Sequence, residues 1–291
     1  MSESNKRNFI VHGSILAIAG ILVRIIGMLY RIPVVNIIGS EGNGIYGAAF
    51  NIYNIMLVLS SYGLPMAVSK LVSARFTKRR YKSAAKVLRC SLMVAVCTGG
   101  IAALLVFFGA SFIENVIYGG GLPGLAIPLR ILAPTIFLVA ILGVIRGFFQ
   151  GQSTMIPTAV SQILEQIVNA IVSIAAGYGM MKAFASSPDV AAYGAAGSTL
   201  GTAMGALTAV LFMGFLYAVY TPTFNRLKRK DRHTENQSTG QICKIIIYTM
   251  IPIILGQTFY QISALIDDVM FSNIMIGRDI TKSISMDLGN F

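Results

Sequence analysis

The chain has 291 residues, of which 55% are hydrophobic and 12% charged, and its mean hydropathy is +0.72. Soluble domains carry about 25% charged residues, so a water-soluble fold is excluded and the bilayer is the expected solvent. The net charge of +12 does not point to nucleic acid, because the basic residues gather between apolar stretches and are not interleaved with aromatics for base stacking.

A bilayer core about 30 Å thick takes about 20 apolar residues per helical crossing. The first such stretch runs from Phe9 to Ile38, behind Lys6 and Arg7. The apolar region of a secretory signal covers about 7–15 residues, and this one continues past Arg24, so it reads as a first span. A polar turn, Gly39–Gly44, leads to a second span over 45–71, interrupted by Gly63-Leu64-Pro65. Such interruptions are tolerated where backbone lines a cavity. Further spans are predicted over 87–108, 125–149, 157–177, 191–220 and 242–276.

Between the second and third spans lie seven bases, Arg75, Lys78, Arg79, Arg80, Lys82, Lys86 and Arg89. Five more, Arg226, Lys228, Arg229, Lys230 and Arg232, follow the sixth span, and Arg146 is read as belonging to the loop after the fourth. The opposite loops, 39–44, 110–124 and 178–190, hold one base, Lys182. By the positive-inside rule the N-terminus is cytoplasmic, and the protein a multi-pass protein of the cell membrane. Residues 1–220 make a six-helix block, 221–241 a basic cytoplasmic linker, and 242–291 the first helix of a second block, as in a truncated reading frame or a fragment.

Charge inside a membrane span costs about 2.5–3.5 kcal/mol on insertion scales and normally faces a protein interior or an aqueous cavity. Arg24 sits midway along the first span. Arg31, seven residues on, returns to within about 20° of the same face roughly 10 Å further along, and Gly27 between them leaves that face open. Guanidinium groups stay charged and bind phosphate bidentately, so both arginines are candidates for holding an anionic substrate; snorkelling of Arg31 to the interface and an assembly ion pair for Arg24 are the structural alternatives. In the fifth span Gln162, Glu165, Gln166, Asn169 and Ser173 recur at helical spacing, a stripe that lines a cavity or bonds a neighbouring helix. Glu165 is a candidate partner for Arg24. Gly47, Asn51 and Asn54 form a weaker stripe in the second span, and Gln257, Tyr260, Gln261 and Asp268 another in the seventh. Gly197, Gly201 and Gly205 in the sixth span form small-xxx-small rows that let helices approach closely.

No chemistry-bearing constellation emerges. Gly42-Asn-Gly-Ile-Tyr-Gly47 matches G-x-G-x-x-G, but no strand precedes it and membrane spans surround it. Cys90, Cys97 and Cys243 have no metal-ligand spacing, and His12 and His233 stand far apart. No nucleophile, base and orienting group can be assembled, so neither an enzyme nor a cofactor is expected.

Arg24-Ile-Ile-Gly-Met-Leu-Tyr-Arg-Ile-Pro33, Ile38-Gly-Ser-Glu-Gly-Asn-Gly-Ile-Tyr46 and Gly63-Leu-Pro-Met-Ala-Val-Ser-Lys70 resemble the start of the stage V sporulation protein B and MurJ-like polysaccharide-biosynthesis flippases. The runs 143–151 and 157–166 extend the resemblance along nearly the whole chain. It implies an all-α, polytopic fold of the multidrug/oligosaccharidyl-lipid/polysaccharide (MOP) exporter superfamily. The chain would supply a six-helix N-terminal lobe of a MATE-like transporter plus one helix of the second lobe. By the same resemblance Arg24 matches a functional cavity arginine, and Arg31 takes the role of a second with a one-residue shift. Further charges found in the second helix of better-known relatives are missing here before Lys70.

The expected function is alternating-access flipping of an undecaprenyl-diphosphate-linked cell-wall or polysaccharide precursor similar to lipid II. Arg24, Arg31, Asn51, Asn54, Gln162, Glu165, Gln166 and Asn169 are the expected substrate-facing residues. The lipid-linked glycan, membrane lipids and cell-wall synthesis proteins are the expected partners. A multidrug or cation antiporter of the same superfamily, which would favour carboxylates, and a membrane scaffold for cell-wall synthesis are the alternatives.

Overall fold

The computed structural model describes residues 3–232 and 237–276. They form α1 (Glu3–Ser60), α2 (Leu64–Thr77), α3 (Tyr81–Phe112) with a π-helical turn at Ile113–Ile117, α4 (Ala126–Gly151), α5 (Ile156–Ala183), α6 (Val190–Lys230) and α7 (Thr239–Ile276). No strand occurs among the described residues, and six helical stretches there are long and apolar enough to cross a bilayer.

The first of these stretches, Ser14–Thr77, has 64 residues, about three times what one crossing needs. It reverses at Gly39, whose backbone (φ 69°, ψ 179°) lies in a region essentially reserved for glycine. A straight helix would hold Gly27 and Asn54 about 40 Å apart, yet both line one cavity. The arms 3–38 and 40–60 therefore run antiparallel, so the first of the six long apolar stretches holds the first two predicted spans. The predicted polar turn is narrower than expected: one residue leaves helical geometry, and 40–44 already belong to the second arm. The G-x-G-x-x-G match lies in that helix.

The predicted interruption of the second span is also present. α1 ends at Ser60, and α2 restarts at Leu64 with Pro65 in its first turn, where its missing N–H costs nothing. Thr98 on α3 donates to the Ser60 carbonyl at 2.9 Å, satisfying an acceptor freed by the break. Pro65 and the following turn lie against Gly143, Gly147 and Gly151 of α4, where added methyls would sit 3.1, 2.5 and 2.7 Å from their nearest neighbours.

α5 and α6 are fastened by the glycine rows read from the sequence. A methyl at Gly197 would run into the Ala176 carbonyl, at Gly201 into Ser173, and at Gly205 would lie 2.6 Å from the Glu165 carbonyl. Contacts this close between backbones gain dispersion energy that larger side chains would forfeit.

Two apolar cores fill the interior. One joins both arms of α1 to the ends of α3, α4 and α6 around Ile45, Leu129 and Ile136; the other joins α2, α3, α4, α6 and α7 around Leu64, Phe148 and Met213. Leu104, Leu105 and Phe108 of α3 and Leu211 and Phe215 of α6 point outward, as lipid-facing side chains do in a bundle whose backbone polar groups are paired internally.

Candidate functional site

The hairpin of α1 encloses a cavity of about 440 Å³, lined by Gly27, Tyr30 and Arg31 from the first arm and by Gly44, Tyr46, Gly47, Ala48, Phe50, Asn51 and Asn54 from the second. The Gly39 reversal explains the convergence, since it turns the Arg31 face and the Gly47–Asn51–Asn54 stripe toward each other. Tyr46 and Phe50 pack with ring centroids 4.5 Å apart and floor part of the cavity. Arg31 is exposed, and no carboxylate lies among the lining residues.

α5 closes one side. Asn169, 8% exposed, donates through Nδ2 to Tyr30 Oη at 3.2 Å. Its Oδ1 lies 2.9 Å from Ser173 Oγ, which also donates to the Ser198 carbonyl of α6 at 2.8 Å. Gln166 lies over Gly27, where a methyl would come 3.2 Å from its Nε2. Gly27 pairing with Gln166 and Tyr30 with Asn169 means that α1's first arm and α5 run parallel. In that register the Arg24 face lies one turn back, level with half-buried Gln162.

Seven of the eight candidates separate into three groups, and Glu165 stands apart with Arg146. Arg31, Asn51 and Asn54 share the cavity; Gln166 and Asn169 pack behind its Gly27–Tyr30 wall; Arg24, exposed, and Gln162 lie beyond it. Glu165 does not meet Arg24. It accepts from Arg146 Nη2 at 2.7 Å, and Arg146 Nε donates to Ser161 Oγ at 2.9 Å. Assigning Arg146 to a loop is likewise corrected: α4 continues to Gly151, which keeps Arg146 inside the helix, with side chains only 14% and 26% exposed in the pair. Pairing replaces two costly lone charges with one hydrogen-bonded pair. Sequence reading missed Arg146 because it lies near the end of an apolar stretch, and it missed Tyr30 and Tyr46 because aromatics there read as packing. Of the seventh-span stripe Gln257 is half-buried; Tyr260, Gln261 and Asp268 belong to α7 but their side chains, like the whole of the tail 277–291, lie outside what the structure describes.

The fold is that of MOP-superfamily transporters. A MATE transporter crystallised with MaD3S superposes with a TM-score of 0.67 at 17% identity, over 95% of this chain and 63% of that one. A MOP-superfamily transporter from Pyrococcus furiosus, described as having a binding pocket of reverse polarity, gives 0.64 at 16% identity over 95% and 62%. Residues 10–290 match the family described as "Polysaccharide biosynthesis protein", and the chain belongs to that family. Among Bacillus subtilis (strain 168) proteins, it is 34% identical to lipid II flippase MurJ over 58% of this chain and 32% of that protein. It is 30% identical to stage V sporulation protein B over 72% and 39%, and 26% identical to the membrane protein YabM over 95% and 50%. The chain thus spans half or less of the length of these relatives. Membership and the six apolar stretches make it a multi-pass membrane protein.

Proposed function

We propose that this chain carries the substrate-facing N-terminal part of a flippase for an undecaprenyl-diphosphate-linked cell-wall or polysaccharide precursor, with lipid II as the reference substrate. One observation carries the reading: the α1 hairpin sets a guanidinium, Arg31, beside two amides and two tyrosines in an intramembrane cavity without a lining carboxylate. A cation antiporter would need negative charge there. Glu165, the nearby candidate, is already committed to Arg146. The relative named a lipid II flippase supports the same substrate class.

In this mechanism Arg31 holds the diphosphate through charge-assisted bonds, while Asn51 and Asn54 supply amide donors and acceptors to the glycan. Arg24, level with Gln162 on the same helix face, meets the headgroup first. The polyprenyl tail stays in lipid. Residues 1–220 act as one lobe, 221–241 as the cytoplasmic linker, and 242–291 as the start of the opposing lobe. With the N-terminus in the cytoplasm, inward capture and outward release follow from rocking of the lobes, and the membrane potential contributes about 2.3 kcal/mol per charge at 100 mV.

Growth of cells depleted of their lipid II flippase tests the substrate. The natural gene product containing this chain is expected to restore growth, and its Arg31→Ala variant at equal abundance is not. A well-expressed parent that fails to rescue would overturn the lipid II assignment.

A further inference from the structure

The two basic runs, read from the sequence as separate loop charges, form one surface. Lys82 and Asp231, 149 residues apart, meet where the Lys82 backbone N–H donates to Asp231 Oδ2 at 2.9 Å, and Asp231 is only 5% exposed. Beneath them Phe224, 1% exposed, stacks on Phe76 with ring planes 6° apart and packs edge-on against Phe148. Arg75 and Lys86 fasten the other side by donating to the side-chain and main-chain carbonyls of Gln237. Lys78, Arg79 and Arg80 are thereby left exposed on one flank and Arg229, Lys230 and Arg232 on the other. Among the described residues none of these six forms an ion pair; the pair found there is Arg146–Glu165.

A topology signal requires only that bases lie on one side of the membrane. It does not require that distant runs be clamped together by a buried carboxylate and an aromatic stack. Massing like charge in one place is self-repulsive, so the surface is suited to a polyanion. It sits where α2 ends, α3 begins and α6 runs past its apolar residues, and a Lys or Arg that flanks a membrane span in this way attracts anionic lipid.

We propose that this surface, assembled across the Lys82–Asp231 junction, is a docking site for the headgroup phosphates of anionic phospholipids in the adjoining leaflet. Both flanks grip the same headgroups, with guanidinium forks making the closest contacts.

The test uses purified protein in detergent micelles doped equally with phosphatidylglycerol and phosphatidylcholine, followed by washing and quantification of the retained lipid at low and high salt. The parent is expected to retain several-fold more phosphatidylglycerol, with the preference lost at high salt. The triple changes K78Q/R79Q/R80Q and R229Q/K230Q/R232Q, all at exposed positions, are each expected to remove most of the preference. Combining them should remove little more. Asp231→Ala keeps every base and is expected to lower retention, although its net charge is more positive. Absence of preference in the parent, strictly additive losses in the two triples, or undiminished retention by a monodisperse Asp231→Ala protein would overturn the proposal.

Discussion

At the residue scale the structure turns on charges inside the membrane and what neutralises them. Arg146 and Glu165 are mostly buried and bonded to each other, so removing one partner strands the other. Arg146→Ala is expected to destabilise the protein by about 3–5 kcal/mol, whereas the double change Arg146→Gln/Glu165→Gln should cost far less. Thermal unfolding in detergent distinguishes these outcomes; equal melting temperatures for the parent and Arg146→Ala would argue against a structural pair. Arg31 has a different character, because it is exposed in the cavity. Arg31→Ala should therefore leave the melting temperature nearly unchanged. The polar stripe of the fifth span was legible in the sequence because amides recurring at helical spacing within an apolar stretch must meet a cavity or a neighbouring helix. The partner of Glu165 was not, since choosing between Arg24 and Arg146 depends on which helices adjoin, and spacing within one helix carries no such information.

At the scale of elements, two glycine effects can be separated. Gly39 has nothing within 4 Å of a would-be Cβ, so Gly39→Ala probes backbone conformation alone and should cost about 1–3 kcal/mol. Gly201 is in helical geometry but pressed against Ser173 and the Asn169 carbonyl, so Gly201→Ala acts by forcing α5 and α6 apart and should sharply reduce the folded yield. Gly214, in the same helix with open space around it, is the control: Gly214→Ala should be neutral or stabilising by up to about 1 kcal/mol. Fluorescence-detected size exclusion with a heating series would rank the three. The α6 rows were visible beforehand as a repeat of four, and the Gly63-Leu64-Pro65 break as a local signal. The α4 row at 143, 147 and 151 has the same spacing, but its meaning emerges only once Pro65 is seated on it. The hairpin was foreseen as a loop of six residues; one glycine in an extended, left-handed conformation performs the reversal, a choice that composition does not specify.

At the scale of the whole molecule, the six long apolar stretches follow from length and hydropathy, and the likeness to MOP-superfamily structures supplies the architecture. Orientation rests on the two basic runs, since Arg146 belongs to α4 and the segment 152–155 holds no base. Arg130, near the other end of α4, is exposed and donates to Ser111. With the N-terminus in the cytoplasm, a cysteine placed at residue 121 in a protein lacking its three native cysteines should react with an impermeant maleimide in intact cells. One placed at residue 79 should react only after permeabilisation. The reverse pattern would invert the proposed direction of transport. Substrate identity was not legible from composition or spacing, because arginines and amides recognise the phosphate and sugar classes without specifying one glycan.

The most direct measurement is translocation itself, in liposomes containing the natural gene product and an undecaprenyl-diphosphate disaccharide carrying a headgroup fluorophore, with flipping read as loss of protection from a membrane-impermeant quencher. The protein should expose the protected inner-leaflet pool, and Arg31→Ala should slow that exposure about tenfold or more, as expected for losing charge-assisted bonds. Exposure no faster than in protein-free liposomes, or undiminished in Arg31→Ala, would contradict a flippase whose cavity arginine holds the diphosphate.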